Sequence, residues 1–224
     1  MGIEKHDFVS SLQPDDVAEL HRLAISRTFE RGQALFHERQ IADRVLVLRA
    51  GVVKATRTTA AGREVVLAFR GAGELVGDLA AFDGELRSAT IRAVERVDAL
   101  SLSVQAFRSF AARPSVALVL LGMLSRRLRE ADAKRIEFST HTTIERVAAR
   151  LVEFAERFGI EDASGAVRIS LPLTQEELAG ATGASIESIG RALQTMRSLN
   201  CIETRRREIR IVDLQGLATL RADA

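Results

Sequence analysis

The chain of 224 residues has one cysteine, three prolines and neither tryptophan nor tyrosine. A single thiol, Cys201, excludes an internal disulfide and any cysteine-built metal or iron–sulfur centre within one chain. His6, His21, His37 and His141 are scattered without ligand spacing, so no metal is expected. No apolar run approaches the length needed to cross a bilayer. Met1–Ser10, which mixes Glu4, Lys5, His6 and Asp7, lacks the apolar core of a signal peptide. These absences predict a cytoplasmic protein with no membrane partner. Net charge is nearly absent too: +2 at pH 7, too small by itself to argue for nucleic acid.

Hydrophobic residues at 46% and charged residues at 28% are ordinary for globular domains. The length suffices for one large domain or two smaller ones. Between Arg27 and Ser103, short β-type runs (Val45–Leu48, Val52–Thr56, Glu64–Phe69, Val97–Ser101) are punctuated by Gly51, Gly62, Gly71, Gly73, Gly77 and Gly84. That rhythm predicts an antiparallel barrel or jelly roll, with Ala60–Ala61–Gly62–Arg63 as a hairpin turn. Pro14–Leu23 predicts a short amphipathic helix ahead of it.

Inside this β region, Gly77–Asp78–Leu79–Ala80 is followed by Arg87–Ser88–Ala89–Thr90. Arginine offers a planar, permanently charged fork to phosphate oxygens, and serine adds a short hydroxyl donor. Glycine lets backbone N–H groups approach, and the aspartate can accept from sugar hydroxyls. Together these residue types suit a ribose-phosphate.

After Pro114 the periodicity turns helical. Ala117, Leu121, Leu124, Leu128, Ala131, Arg135 and Phe138 recur at steps of four and three, a coiled-coil seam that predicts a homodimer. A second set, Leu118, Met123 and Ile136, is expected to pack on the barrel. Thr142–Thr143–Ile144–Glu145 is a capping box opening another helix that stops at Gly159. A polar loop, Ile160–Gly165, and a strand, Val167–Ser170, are expected next. The domains predicted are 1–113 (β-roll), 114–138 (dimerisation helix) and 139–224.

The last segment has the order of a DNA reader. Thr174–Gln175–Glu176–Glu177 caps a short helix ended by Gly183, and Ser185 caps a second helix through Ile189, Leu193 and Met196. Small Ala179 permits a close crossing, and Gly183 suits the left-handed turn. Cys201–Thr204 and Ile209–Val212 then form a hairpin wing tipped by Arg205, Arg206 and Arg207. Between Ser185 and Val212, Arg191, Arg197, Arg205, Arg206, Arg207 and Arg210 face only Glu187, Glu203 and Glu208, so positive charge is concentrated locally.

With both halves located, the chain resembles the cyclic AMP receptor protein / fumarate-nitrate reductase regulator (Crp/Fnr) family of bacterial transcription regulators. The most specific stretches are GDLAAFDGELRSATI (77–91) and LTQEELAGATGASIESIGRAL (173–193). The resemblance implies an α+β chain: an N-terminal cyclic-nucleotide-binding β-roll, a long dimerisation helix and a C-terminal winged helix-turn-helix. It implies no enzyme and no catalytic residue, a homodimer on double-stranded DNA with an inverted-repeat site, and contact with RNA polymerase through the loop Arg157–Ala166. The implied phosphate contacts are Arg87 and Ser88 with backbone at Gly77 and Leu79; Asp78 is the implied ribose contact. DNA contacts are expected at Thr174, Gln175, Ser185, Ile186, Glu187, Arg191, Arg205, Arg206 and Arg207.

Three departures bear on function. Asp78 stands where the family usually has Glu. Ala131 and Asp132 occupy the helix positions that face the base; Ala131 cannot hydrogen-bond adenine, while the Asp132 carboxylate suits the adjacent N–H donors of guanine. The effector therefore stays open between cyclic AMP and cyclic GMP. Ile186 replaces an arginine, which predicts an altered half-site. A ligand-independent regulator with a vestigial pocket is the alternative. An enzyme on a cupin-like barrel is disfavoured because His37 has no companion ligands at suitable spacing.

Overall fold

The structure, a computed structural model, describes residues 7–60, 62, 64–205 and 207–221. Its first compact unit is Met1–Glu130 and its second Ala131–Ala224. The first contains α1 (Pro14–Leu23), β1 (Ile25–Phe29), β2 (Ala34–Phe36), β3 (Arg44–Ala50), β4 (Val53–Thr58), β5 (Glu64–Arg70) and β6 (Leu75–Val76). There follow α2 (Asp78–Asp83), β7 (Thr90–Ala93), β8 (Val97–Ser103), α3 (Val104–Ala111) and the start of α4 (Pro114–Thr140). Two antiparallel four-stranded sheets, ordered β1-β8-β3-β6 and β2-β7-β4-β5, make the roll.

Strands β3 and β8 explain why it holds. Successive side chains alternate faces, and here both faces are apolar. Leu46, Leu48, Val97 and Ala99 enter a core with Phe29, Leu35, Phe36, Val53 and Ile91 inside the roll. Val45, Val47, Leu100 and Leu102 pack outward on Phe8, Leu20, Phe107, Phe110, Val116, Leu120 and Met123. A central strand buried on both sides reads as a hydrophobic run: Val45–Leu48 of β3 is unbroken, and β8 is interrupted by Asp98 and Ser101. Strands β1, β2, β6 and β7 were not visible in sequence: β1 is exposed at four of its five positions, and β2 and β6 have three and two residues. The expected hairpin turn has Ala61 and Arg63 outside the described residues.

Helix α4 packs on the roll through Val116, Leu120 and Met123. The expected packing set is corrected here. Leu118 is 71% exposed, since two residues beyond Val116 it points about 200° away around the helix. Ile136 is likewise exposed, and only Met123 of that set packs on the roll. Leu121 and Leu128 of the seam are also exposed.

The second unit holds the end of α4, then α5 (Thr143–Phe158), β9 (Gly159–Glu161), β10 (Val167–Ile169), α6 (Gln175–Thr182), α7 (Ile186–Ser198), β11 (Ile202–Arg205), β12 (Glu208–Ile211) and α8 (Leu214–Thr219). Ile160 lies in a strand and not in a loop: β9 pairs with β10 and completes an antiparallel sheet ordered β11-β12-β10-β9. Helix α5 is the centre, with Val147, Leu151, Val152 and Phe154 buried and α6, α7 and α8 packed against it. The capping box is present as expected, Thr142 N donating to Glu145 Oε2 at 2.6 Å.

A buried ion cluster fixes the end of α4 in this unit. Arg150, 7% exposed, donates through Nη2 to both Glu137 oxygens at 3.0 and 2.8 Å and through Nη1 to Glu153. Burial pushes the Glu153 carboxyl up, but Arg150, Lys134 and Arg157 together hold it below its ordinary value. Phe138 lies against Gly183, where a Cβ would come within 2.8 Å of its ring. Arg146 Nε donates to Thr182 O at 3.0 Å, and its Nη1 to His141 O at 2.6 Å. Replacing Arg150 by Met leaves two carboxylates without their counter-ion and is expected to cost about 3 kcal/mol in urea denaturation followed by circular dichroism.

The wing is cross-linked by Arg210. Its Nε donates to Asp162 Oδ2 at 2.9 Å, Nη1 to Glu203 Oε2 at 3.1 Å and Nη2 to Ser164 Oγ at 2.7 Å. Hydrogen bonds from the Ser164 hydroxyl and backbone, then from Arg210, pull the Asp162 carboxyl down to about 2. Because this folded value lies below the unfolded one of about 3.9, the link is intact above that range and is lost only as pH falls through the lower value. An NMR titration of the Asp162 carboxyl carbon is expected to show a midpoint near 2, moving upward in Arg210→Ala.

Candidate functional site

In the first unit, the turn before α2 and the loop before β7 bring Gly77 and Arg87 together. Arg87 is only 4% exposed. Its Nη1 donates to Gly77 O at 2.7 Å, and its Nη2 to Arg44 O at 2.6 Å and Asp43 Oδ1 at 3.3 Å. The guanidinium lies over the Phe36 ring, 3.9 Å from its centroid, a cation–π contact. The loop backbone is held as well: Arg87 N donates to Gln40 O and Arg39 N to Arg87 O, both at 2.8 Å. Burial pulls the guanidinium below its ordinary value, opposed mainly by Asp43.

Gly77 is required twice over. Its φ of +81° is left-handed, and a Cβ would sit 2.7 Å from Arg87 Nη1 and 2.8 Å from Phe36 Cε2. Asp78, beside it, is buried, with Oδ2 accepting from Arg127 Nη1 at 2.9 Å. Arg127 Nη2 also donates to Leu75 O at 2.7 Å. Leu79 and Ser88 are exposed.

A phosphate-bearing ligand suits this arrangement. Among the described residues, Arg87 Nε and the second Nη1 hydrogen have no protein acceptor, so the guanidinium keeps donors for an anion. Ala131 and Asp132, on α4 in the second unit, are exposed, and Asp132 Oδ1 lies 4.0 Å from Arg135 Nη1.

Sequence reasoning missed Phe36, Asp43 and Arg127. For Arg127 a signal existed: it continues the buried face of α4, four residues after Met123. A charged residue there needs a buried partner. Phe36 and Asp43 carry no local signal, because only the strand pairing brings them to Arg87.

In the second unit, α6 begins with the expected box, Thr174 N donating to Glu177 Oε2 at 2.9 Å and Glu177 N to Thr174 Oγ1 at 3.1 Å. Gly183 takes the left-handed turn at φ +63°. Ser185 caps α7, accepting from Ser188 N at 3.1 Å. One face of α7 is buried through Ile189, Ala192, Leu193 and Met196. The opposite face presents Ile186, Glu187, Arg191, Gln194 and Thr195 to solvent, and Gln175 is exposed at the start of α6. Arg191 donates to Glu187 and to Ser188 Oγ.

The arginine cluster is thereby sorted. Arg210 is neutralised by Asp162 and Glu203, and Arg191 is paired with Glu187. Among the described residues, Arg205 and Arg207 at the wing tip are exposed and have no ion-pair partner. Arg206 lies outside the described residues.

Residues 26–113 match the family described as cyclic nucleotide-binding domain, and residues 145–220 the Crp-like helix-turn-helix domain. The chain is 33% identical over 208 residues to a CRP-like cAMP-activated global transcriptional regulator of Mycobacterium tuberculosis, covering 92% of each chain. It is 31% identical over 189 residues to the cyclic AMP receptor protein of Thermus thermophilus, covering 83% of this chain and 82% of that one. Among solved structures, FixK2 from Bradyrhizobium japonicum shares the fold with a TM-score of 0.79 at 22% identity, over 90% of this chain and 98% of that one. The buried arginine over its glycine turn and the capped helix pair beside a basic wing therefore sit in matched domains, and the chain belongs to the Crp/Fnr family of DNA-binding transcription regulators, with a cyclic nucleotide-binding domain at its N-terminal end.

Proposed function

We propose that the protein is a homodimeric regulator whose hold on an inverted-repeat DNA site is gated by a cyclic purine nucleotide. The observation that carries this is the Arg87 cradle and its link to α4. Arg87 would take the phosphate with Ser88 and the backbone at Gly77 and Leu79, and Asp78 the ribose. Since Asp78 is bonded to Arg127 of α4, a ligand that engages the carboxylate acts on the long helix directly. Ligand that binds one arrangement of this pair better than another shifts the population by its differential affinity. The two relatives named above are described as cAMP-activated and as a cyclic AMP receptor, which favours cyclic AMP. Asp132 on the next turn of α4 favours cyclic GMP by hydrogen-bond chemistry.

A second reading keeps the fold and drops the ligand. It draws on two facts: Arg87 already has three protein acceptors, and Ala131 offers a base nothing. Calorimetry separates the two. Wild-type protein is expected to bind cyclic AMP or cyclic GMP, and Arg87→Lys, which keeps the charge but loses the fork, to bind at least about 100-fold more weakly, with its melting curve recorded as a control. Absence of binding of either nucleotide at millimolar concentration would establish the ligand-independent reading.

Dimerisation is supported by the exposed Leu118, Leu121 and Leu128 on α4, an apolar stripe of the kind a helix buries against a second helix. Two-fold symmetry places the two α7 helices on half-sites about one helical turn apart. In that role α7 enters the major groove with Ser185, Ile186, Glu187 and Arg191, supported by Thr174 and Gln175 at the start of α6. Arg205, Arg206 and Arg207 would reach phosphates, and the segment Arg157–Ala166, which includes β9, is the candidate polymerase contact. Leu121→Glu combined with Leu128→Glu is expected to give a monomer in sedimentation velocity and to weaken binding to a palindromic oligonucleotide by at least about 100-fold, because each half-site is then bound alone.

A further inference from the structure

The pocket assigned above to a nucleotide already holds an anion of its own. Asp43, the residue before β3, places Oδ1 3.3 Å from Arg87 Nη2 and Oδ2 2.5 Å from Arg44 Nη1. The other two acceptors of Arg87, Gly77 O and Arg44 O, are main-chain groups without net charge, which repel a phosphate far less than a carboxylate does. Asp43 differs from both. It is charged, and its side chain is 60% exposed where that of Arg87 is 3%. Its backbone is anchored, since Val104 N donates to Asp43 O at 3.2 Å, so the carboxylate can rotate away without disturbing β3. The cation is fixed, and its carboxylate is free to leave.

We propose that Asp43 is a built-in competitor for the effector phosphate, neutralising Arg87 until a nucleotide displaces it and thereby setting the affinity of the site. The inference rests on the nucleotide reading above. Two anions on one guanidinium repel, and the exchange of one for the other gains less than binding to a free cation would. Displacement also releases Arg44, whose Nε is buried without a hydrogen-bond partner among the described residues. Its guanidinium lies 5.6 Å from the same Phe36 ring, so the departing carboxylate leaves two cations beside the anion.

The test is calorimetry on the full chain with cyclic AMP and cyclic GMP. Asp43→Asn, and Asp43→Ser as a second way to remove the charge, are expected to bind about three- to fivefold more tightly than wild type, a gain of the size of an exposed ion pair. Glu38→Gln serves as control, because that carboxylate is bonded to Arg57 and Thr58 and not to Arg87; it should change affinity by less than about twofold. Unchanged or weaker binding in both Asp43 variants, with wild-type binding intact, overturns the competitor role and leaves the nucleotide reading standing. Binding by the variants alone supports competition at its strongest. If neither wild type nor variants bind at millimolar concentration, both claims fall together.

Discussion

A guanidinium cannot be taken out of water unless acceptors meet it, and in the first unit everything near the candidate pocket is arranged around that need. Arg87 is buried because Gly77 and Arg44 turn carbonyls toward it, Asp43 supplies charge and Phe36 lies beneath it. Each of these demands something of the fold. The carbonyl of Gly77 is available only because a left-handed turn precedes α2, and that of Arg44 only because β3 starts where it does. The ring of Phe36 reaches Arg87 because β2 pairs with β7. The arginine proposed to take the phosphate is thus also a structural one, and the contacts that hold it are those a ligand would have to displace.

Asp78 repeats the logic from the opposite sign. A buried carboxylate needs a cation, and α4 supplies Arg127 on the face that otherwise packs through Val116, Leu120 and Met123. Breaking a buried pair by removing one partner is far more costly than the pair is worth as stabilisation. Such a pair is therefore a sensitive place to couple ligand chemistry to a helix, because small changes in how the carboxylate is bonded change what the helix is held by.

The second unit uses the same device for rigidity. Arg150 gathers Glu137 and Glu153, and Phe138 fills the space that Gly183 leaves open, so the last turns of α4 are part of the same packed body as the helix-turn-helix. Charge at the wing is divided by geometry. Arg210 is spent on Asp162 and Glu203 within the sheet, whereas Arg205 and Arg207 remain available at the tip. The excess of arginine in this segment is therefore smaller, as a field felt by DNA, than a count of residues suggests.

Local chemistry was legible in the chain itself. Capping boxes at Thr142 and Thr174, the glycine at the helix turn and the unbroken apolar run of β3 all act over a few residues, so their meaning does not depend on distant partners. The pairing of a phosphate-type motif with a capped helix pair and a basic wing was legible too, and the stretches 77–91 and 173–193 carried the resemblance to the family. Short or solvent-facing elements such as β1, β2, β6 and β9 escaped, because their stability comes from neighbours in the sheet and not from their own composition. The partners of Arg87 and Asp78 escaped for a stronger reason. Asp43 lies 44 residues from Arg87 and Arg127 49 residues from Asp78, and nothing in a linear chain says which carboxylate will meet which guanidinium. Burial makes those pairings obligatory, and only the tertiary structure chose them.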